Sequence, residues 1–213
     1  MDTRIKTNNV EMIGTIVSDP EYSHEVYGER FYHLLLEVKR LSGVADAIPL
    51  MISERLFDRN ASYIGTTVKI YGQFRSYNVR EEYRNRLDLH VFVSEIQKID
   101  RDTYEDQNEV RLDGYICREV YYRHTPLGRE IADMLVAVNR GYGKSDYIPC
   151  ICWGRNARFA SEFALGTHIE LTGRIQSREY IKKHEDGTEE QRTAYEVSVS
   201  HLEAVEREEK KCE

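Results

Sequence analysis

The sequence predicts an all-β protein in which one small barrel is made twice. Apolar and polar residues alternate over successive short runs, the period of half-buried strands. Turns rich in Gly and Pro separate the runs. The pattern of the first half then returns in the second at an almost fixed distance, the mark of duplication of a whole domain rather than of a short solenoid repeat. Val10, Met12, Gly14 and Ile16 recur as Val110, Leu112, Gly114 and Ile116, an offset of 100. At the same offset Leu34, Leu36, Val38 and Arg40 recur as Met134, Val136, Val138 and Arg140, and Ile48, Pro49, Ile52 and Arg55 as Ile148, Pro149, Cys152 and Arg155. One inserted residue later, Gly65-Thr66 with Val68, Ile70 and Gly72 matches Gly166-Thr167 with Ile169, Leu171 and Gly173.

Each copy reads in the same order. Strand one covers about Val10 to Ser18, or Val110 to Glu119, and a turn containing Gly28 or Thr125-Pro126-Leu127-Gly128 leads to strand two, Phe31 to Lys39 or Ile131 to Asn139. Leu41-Ser42-Gly43, or Gly141-Tyr142-Gly143, connects to strand three. A short helix is expected next, Glu54 to Tyr63 and Arg155 to Ala164, closed by Gly65 or Gly166. Strands four and five follow as a long hairpin, with Glu185-Asp186-Gly187 at its turn in the second copy. Five strands with a helix between the third and fourth is the order of an OB-fold, whose second and third strands and adjoining loops bind strands of nucleic acid. The expectation is therefore two tandem OB-folds, five-stranded Greek-key barrels, over residues 1–105 and 106–213.

Composition narrows the function. Of 213 residues 40 % are hydrophobic and 31 % charged, as in a soluble globular chain. No apolar run approaches the roughly 18 residues of a membrane span, and Met1 to Asn9 lack the apolar stretch of a signal peptide. The expected compartment is the cytoplasm, with no membrane partner. The four cysteines form no C-x-x-C pair and the seven histidines lack ligand spacing, so neither a metal nor a cofactor is expected. No nucleophile motif, phosphate loop or plausibly spaced carboxylate pair is present, and the chain does not read as an enzyme. The net charge of -7 argues against indiscriminate duplex binding. Local charge is what steers a ligand, and between Arg118 and Lys183 eleven Arg and Lys stand against seven Asp and Glu.

The chemistry concentrates in Asp146 to Arg158. Strand alternation puts Ile148, Cys150 and Cys152 on a core face and Tyr147, Pro149, Ile151 and Trp153 on the other, followed by Gly154 and the cation Arg155. Flat aromatics beside arginines suit single-stranded nucleic acid, because every base offers a ring face and every nucleotide a phosphate. A strand whose exposed face merely carries a Tyr and a Trp fits the same pattern. Tyr180 shares the parity of Arg174, Gln176 and Arg178, which places it outward near Lys182 and Lys183. Arg174 and Arg140 fit a structural salt bridge equally well. In the first copy Tyr77, Arg80, Tyr83 and Arg84 form a basic, aromatic hairpin better explained by dimer packing.

The second copy resembles bacterial single-stranded DNA-binding proteins. Four ordered motifs carry the resemblance: Tyr122-Arg123-His124-Thr125-Pro126-Leu127-Gly128, Val136-Ala137-Val138-Asn139-Arg140, Asp146 through Arg155, and Gly173-Arg174-Ile175-Gln176-Ser177-Arg178-Glu179-Tyr180. It implies base-stacking aromatics at Tyr147, Trp153, Tyr180 and Tyr142, and phosphate cations at Arg155 and Arg178, with Lys182 and Lys183 completing the expected nucleic-acid-binding set. It implies sequence-independent binding that protects single-stranded DNA in replication, recombination or repair, by an assembly of four OB-folds. For a two-fold chain that means a homodimer.

Two departures qualify this. The family's acidic, apolar tail tip, which recruits repair enzymes, has no counterpart in Glu206 to Glu213, so recruitment by that route is not expected. The positions of Tyr147 and Trp153 are Ala47 and Ser53 in the first copy, although Ile48, Leu50 and Ile52 are kept. The first barrel is thus read as degenerate, serving assembly. The alternative function is an OB-fold interaction module, a primosome-type adaptor with weak nucleic-acid binding.

Overall fold

Two closed rings of strands emerge from the repeat, each built by the same pairings. The computed structural model describes residues 7–58, 61–81, 84–183 and 187–205, with no side-chain description for 79–81 and 84–86. In the first copy β1 (Asn8–Ile16), β3 (Glu29–Lys39), β4 (Ala45–Ser53), β5 (Thr67–Glu81) and β6 (Arg84–Lys98) close in the order β1-β3-β4-β6-β5-β1. The second copy repeats this with β7 (Gln107–Ile116), β9 (Glu130–Arg140), β10 (Lys144–Trp153), β11 (His168–Lys183) and β12 (Glu189–Ala204). The third and last strands of each ring run parallel, Leu50 opposite Val91 and Cys150 opposite Val197. These are the all-β OB-folds expected from the order of elements.

The repeated glycines close the rings. A Cβ on Gly14, Gly72, Gly114 or Gly173 would run into the carbonyl oxygen of Glu37, Phe92, Ala137 or Ser198 on the facing strand. Only a residue without a side chain lets the backbones approach so closely. Inside, Met12, Ile16, Leu36, Ile48, Leu50, Ile52 and Phe74 are fully buried in the first copy, and Ile116, Met134, Val136, Ile148, Cys152 and Ile169 in the second. Each such side chain contributes about 1.5 to 3 kcal/mol by leaving water. The core cysteines behave as small hydrophobes, and burial pushes the Cys152 thiol up to about 12.

Two elements differ from expectation. Each copy has an additional short strand before its second barrel strand, β2 (Glu21–Val26) and β8 (Tyr121–His124), paired with β3 and β9 respectively. The helix expected in both copies appears in one, as α1 (Arg155–Ala160). There Ala157 and Ala160 are small enough to lie flat on the barrel, both fully buried. The described residues of 54–63 form turns instead. Phe57 and Tyr63 pack edge to face at 5.8 Å, and the Asp58 N–H donates to the Tyr63 hydroxyl at 2.9 Å, which holds the segment as a loop.

The chain divides into two compact units. One is Asn9–Val110 with Ile175–Glu196, so the outer part of the β11/β12 hairpin groups with the first copy. Within this unit Asn108 receives and returns backbone hydrogen bonds to Ile175, at 2.9 and 2.7 Å. The buried carboxylate of Asp46 accepts from Arg40 twice at 2.6 Å, and from the Ser177 N–H and hydroxyl at 2.7 and 3.0 Å. Burial alone would raise the Asp46 pKa, but these donors together hold it below the usual aspartate value. The other unit is built on Arg111–Arg174 and the chain from Val197 onward. Among the described residues no helix is long and apolar enough to cross a membrane.

Candidate nucleic-acid interface

Along β10 the alternation fixes what faces outward. Ile148, Cys150 and Cys152 are buried, whereas Tyr147 and Trp153 keep 42 % and 40 % of their surface exposed. Ile151, expected on the outer face, lies there but is buried, because β9 and β12 flank it with Asp133 and Ser198. Six residue steps of strand separate Tyr147 from Trp153, about 20 Å. The two rings are therefore separate platforms, too far apart to hold one base. Tyr142 stands fully exposed in the β9–β10 turn with φ 63. A left-handed backbone costs a non-glycine residue on the order of 1 kcal/mol, and here that conformation presents an aromatic ring to solvent.

The additional strand β8 widens this face. Directly opposed residues of antiparallel strands share a face, and the register sets Arg123 opposite Ile131 opposite Trp153, with Tyr121 opposite Asp133 opposite Ile151. Tyr121 is 61 % exposed, and the Arg123 guanidinium lies 6.0 Å from its ring centre while pairing with Asp133 at 2.9 Å. The sequence reading missed Tyr121, since β8 is polar on both sides and carries no alternation signal. It also missed Arg129, an exposed cation next to β9.

Charges around Trp153 are partitioned. Glu130 accepts from Arg158 at 2.7 Å and from the Tyr122 hydroxyl at 2.7 Å, and these two donors lower its pKa, the Tyr122 hydrogen bond foremost. Arg155 is exposed and, among the described residues, has no ion pair. Arg140, by contrast, is a structural partner: it meets the buried carboxylate of Asp146 at 3.3 Å, as Arg40 meets Asp46.

Tyr142, Tyr147, Trp153 and Arg155 thus belong to one unit, and Arg178, Tyr180, Lys182 and Lys183 to the other. On the hairpin Tyr180 is 38 % exposed with the Arg178 guanidinium 5.8 Å from its ring centre. Among the described residues the Lys182 ammonium is buried with no hydrogen-bond partner, and the exposed Lys183 pairs with Glu189 at 3.1 Å. Gln176, on the same parity as Tyr180, is buried and donates to Glu196 at 2.8 Å, and beyond it Arg178 and Tyr180 are exposed.

In the first copy Ser53, in the place of Trp153, is 7 % exposed and donates to Glu29, which pairs with Arg55 at 3.2 Å. Tyr77 is exposed, whereas the side chains of Arg80, Tyr83 and Arg84 lie outside the described residues.

Comparison with known proteins agrees with this geometry. Over 80 residues the chain is 38 % identical to Single-stranded DNA-binding protein 1 of Lactococcus lactis, covering 34 % of this chain and 53 % of that protein. It is also 38 % identical over 80 residues to Single-stranded DNA-binding protein 1 of Streptococcus pyogenes, covering 34 % and 62 %. The chain thus spans little more than half the length of these curated relatives. The wild-type single-stranded DNA binding protein from Thermus aquaticus shares the fold, with a TM-score of 0.76 over 94 % of this chain and 93 % of that one at 20 % identity. Residues 107–205 match the Single-strand binding protein family. The second copy is thus similar to that family, and the first copy repeats its strand order.

Proposed function

We propose that the chain binds single-stranded DNA without reading its sequence, by stacking bases on aromatics and neutralising phosphates, and so protects single strands during replication, recombination or repair. The observation that carries this reading is the outer face of β10, where Tyr147 and Trp153 stay exposed on a strand otherwise packed into the barrel. Tyr142, Arg155, Arg178 and Tyr180 join them as binding residues. The relatives' names, which specify single-stranded DNA binding, support the same ligand class. Work of this kind needs no bond to be made or broken.

The first copy serves mainly assembly in this reading, and two chains bring four barrels together about a two-fold axis in the cytoplasm. Light scattering at micromolar concentration should give the mass of a dimer; a monomer mass removes the assembly. Trp153 is the single tryptophan of the chain, which makes the binding reading directly testable. Titration with oligo-dT should quench its fluorescence to saturation. Retention of unchanged fluorescence at high oligo-dT, with no shift in gel mobility, would leave the interaction-module reading in its place.

A further inference from the structure

We propose that Arg129 and Arg155 form a two-pronged phosphate site beside Trp153, a reading that rests on the second copy binding single-stranded DNA. The argument comes from a charge reversal at equivalent places. In the first copy the Glu54 N–H donates to the Arg30 carbonyl at 2.9 Å, and in the second the Gly154 N–H donates to the Glu130 carbonyl at 2.9 Å. The residues one step outward, 29 with 55 and 129 with 155, therefore occupy the same pair of positions.

In the first copy those positions hold Glu29 and Arg55, whose side chains meet at 3.2 Å. The backbone geometry thus allows side chains from the two places to reach one point. In the second copy the glutamate is Arg129, and the local charge of the pair changes from zero to plus two. The nearest acid in sequence, Glu130, is already engaged by Arg158 and Tyr122. Among the described residues neither Arg129 nor Arg155 has an ion pair, and both are exposed.

Two guanidinium groups that reach toward one point repel each other, and an anion between them turns that repulsion into two attractions. Each guanidinium presents planar N–H donors that match phosphate oxygens. Because Gly154 alone separates Arg155 from Trp153, the anion that fits is a backbone phosphodiester next to the base stacked on that ring. The Arg123–Asp133 pair between β8 and β9, already neutral, leaves the phosphate to Arg129 and Arg155.

The test is the salt dependence of oligo-dT affinity for the full chain. Each phosphate neutralised on a single strand contributes about 0.7 to the slope of log K against log salt. Arg129→Ala, which leaves one prong, should lower the slope by only part of that, with Arg129→Lys retaining it. Arg129→Glu should recreate the first copy's ion pair, disarm Arg155 as well, and lower the slope by the full amount, about 0.7. In the Arg129→Glu background, adding Arg155→Ala should then change little. A slope unchanged by Arg129→Glu, or full additivity of the two changes, overturns the proposal. If the slopes stay fixed while Trp153 is still quenched, the arginine pair alone is wrong. If the unaltered chain does not bind oligo-dT, both readings fall together.

Discussion

The two copies share a strand order and differ in how they use their outer face. In the first, aromatic rings are spent on each other: His24 stacks on Phe31 at 5.1 Å and 14°, Phe92 follows at 5.7 Å, and the Arg75 guanidinium sits 3.8 Å from the centre of the Phe92 ring. The corresponding positions of Phe31 and Phe92 in the second copy are Ile131 and Ser198, and among the described residues Trp153 has no ring partner of its own. Charges follow the same division. Ser53, Glu29 and Arg55 satisfy one another, whereas Arg129 and Arg155 do not. A barrel keeps its fold through its inward residues; whether it can receive a ligand depends on whether its outward groups are already satisfied.

The largest expected effect lies in the first unit. Asp46→Ala removes the acceptor of four hydrogen bonds in a buried place and should destabilise that unit by about 3 to 5 kcal/mol, read as a lower midpoint of urea unfolding. On the arginine side, Arg140→Ala should cost less than Arg40→Ala, since Arg140 meets Asp146 at 3.3 Å where Arg40 meets Asp46 twice at 2.6 Å. The folded Asp46 pKa is below its ordinary 3.8, so its contribution is present above that pH and fades as pH falls through the folded value. An equal cost for both arginine variants would show that the two pairs are equivalent after all.

Next comes His90, buried beside His33, His24, Arg75 and Asp88, whose pKa burial lowers from 6.5 to about 4. The unfolded chain binds its proton first, so stability should fall as pH drops from about 6.5 to about 4, by roughly 3 kcal/mol in all. The matching position in the second copy is Glu196, so this loss belongs to the first copy. His90→Phe should flatten the stability profile over that range; an unaltered slope in that variant would assign the effect elsewhere.

Trp153→Ala should weaken oligo-dT binding by about 1 to 3 kcal/mol, tenfold or more, with Trp153→Phe mild and Ser53→Ala without effect on binding. Comparable losses from Ser53→Ala and Trp153→Ala, measured by anisotropy, would mean that both faces carry the strand. The smallest effect is expected from Tyr121→Ala, about 1 kcal/mol, because Tyr121 lies two strands, about 10 Å, to the side of β10. It should appear with long oligonucleotides and vanish with short ones. Loss at every length would place Tyr121 beside Trp153 in a single subsite.

The sequence by itself determined the duplication, the strand order and the inward and outward residues of β10. These follow from periods of two residues and from the spacing of glycines, which the covalent backbone imposes wherever the chain is extended. Tyr147 and Trp153 were legible for the same reason. The tertiary structure alone decided the rest. The short strands β2 and β8 are mostly exposed on both sides and have no apolar alternation to reveal them. The first copy's helix gave way to a loop because Phe57 and Tyr63 found each other, a contact that helix signals do not encode. Lys182 looked like a free cation on a hairpin, yet its ammonium is buried. Arg40 and Arg140 at the strand ends and Arg155 at the start of α1 are the same residue type, and only the positions of Asp46 and Asp146 mark the first two as structural charges. Hydrogen bonds and ion pairs act over a few ångströms of space, and Asp46 meets Ser177 across 131 residues of chain.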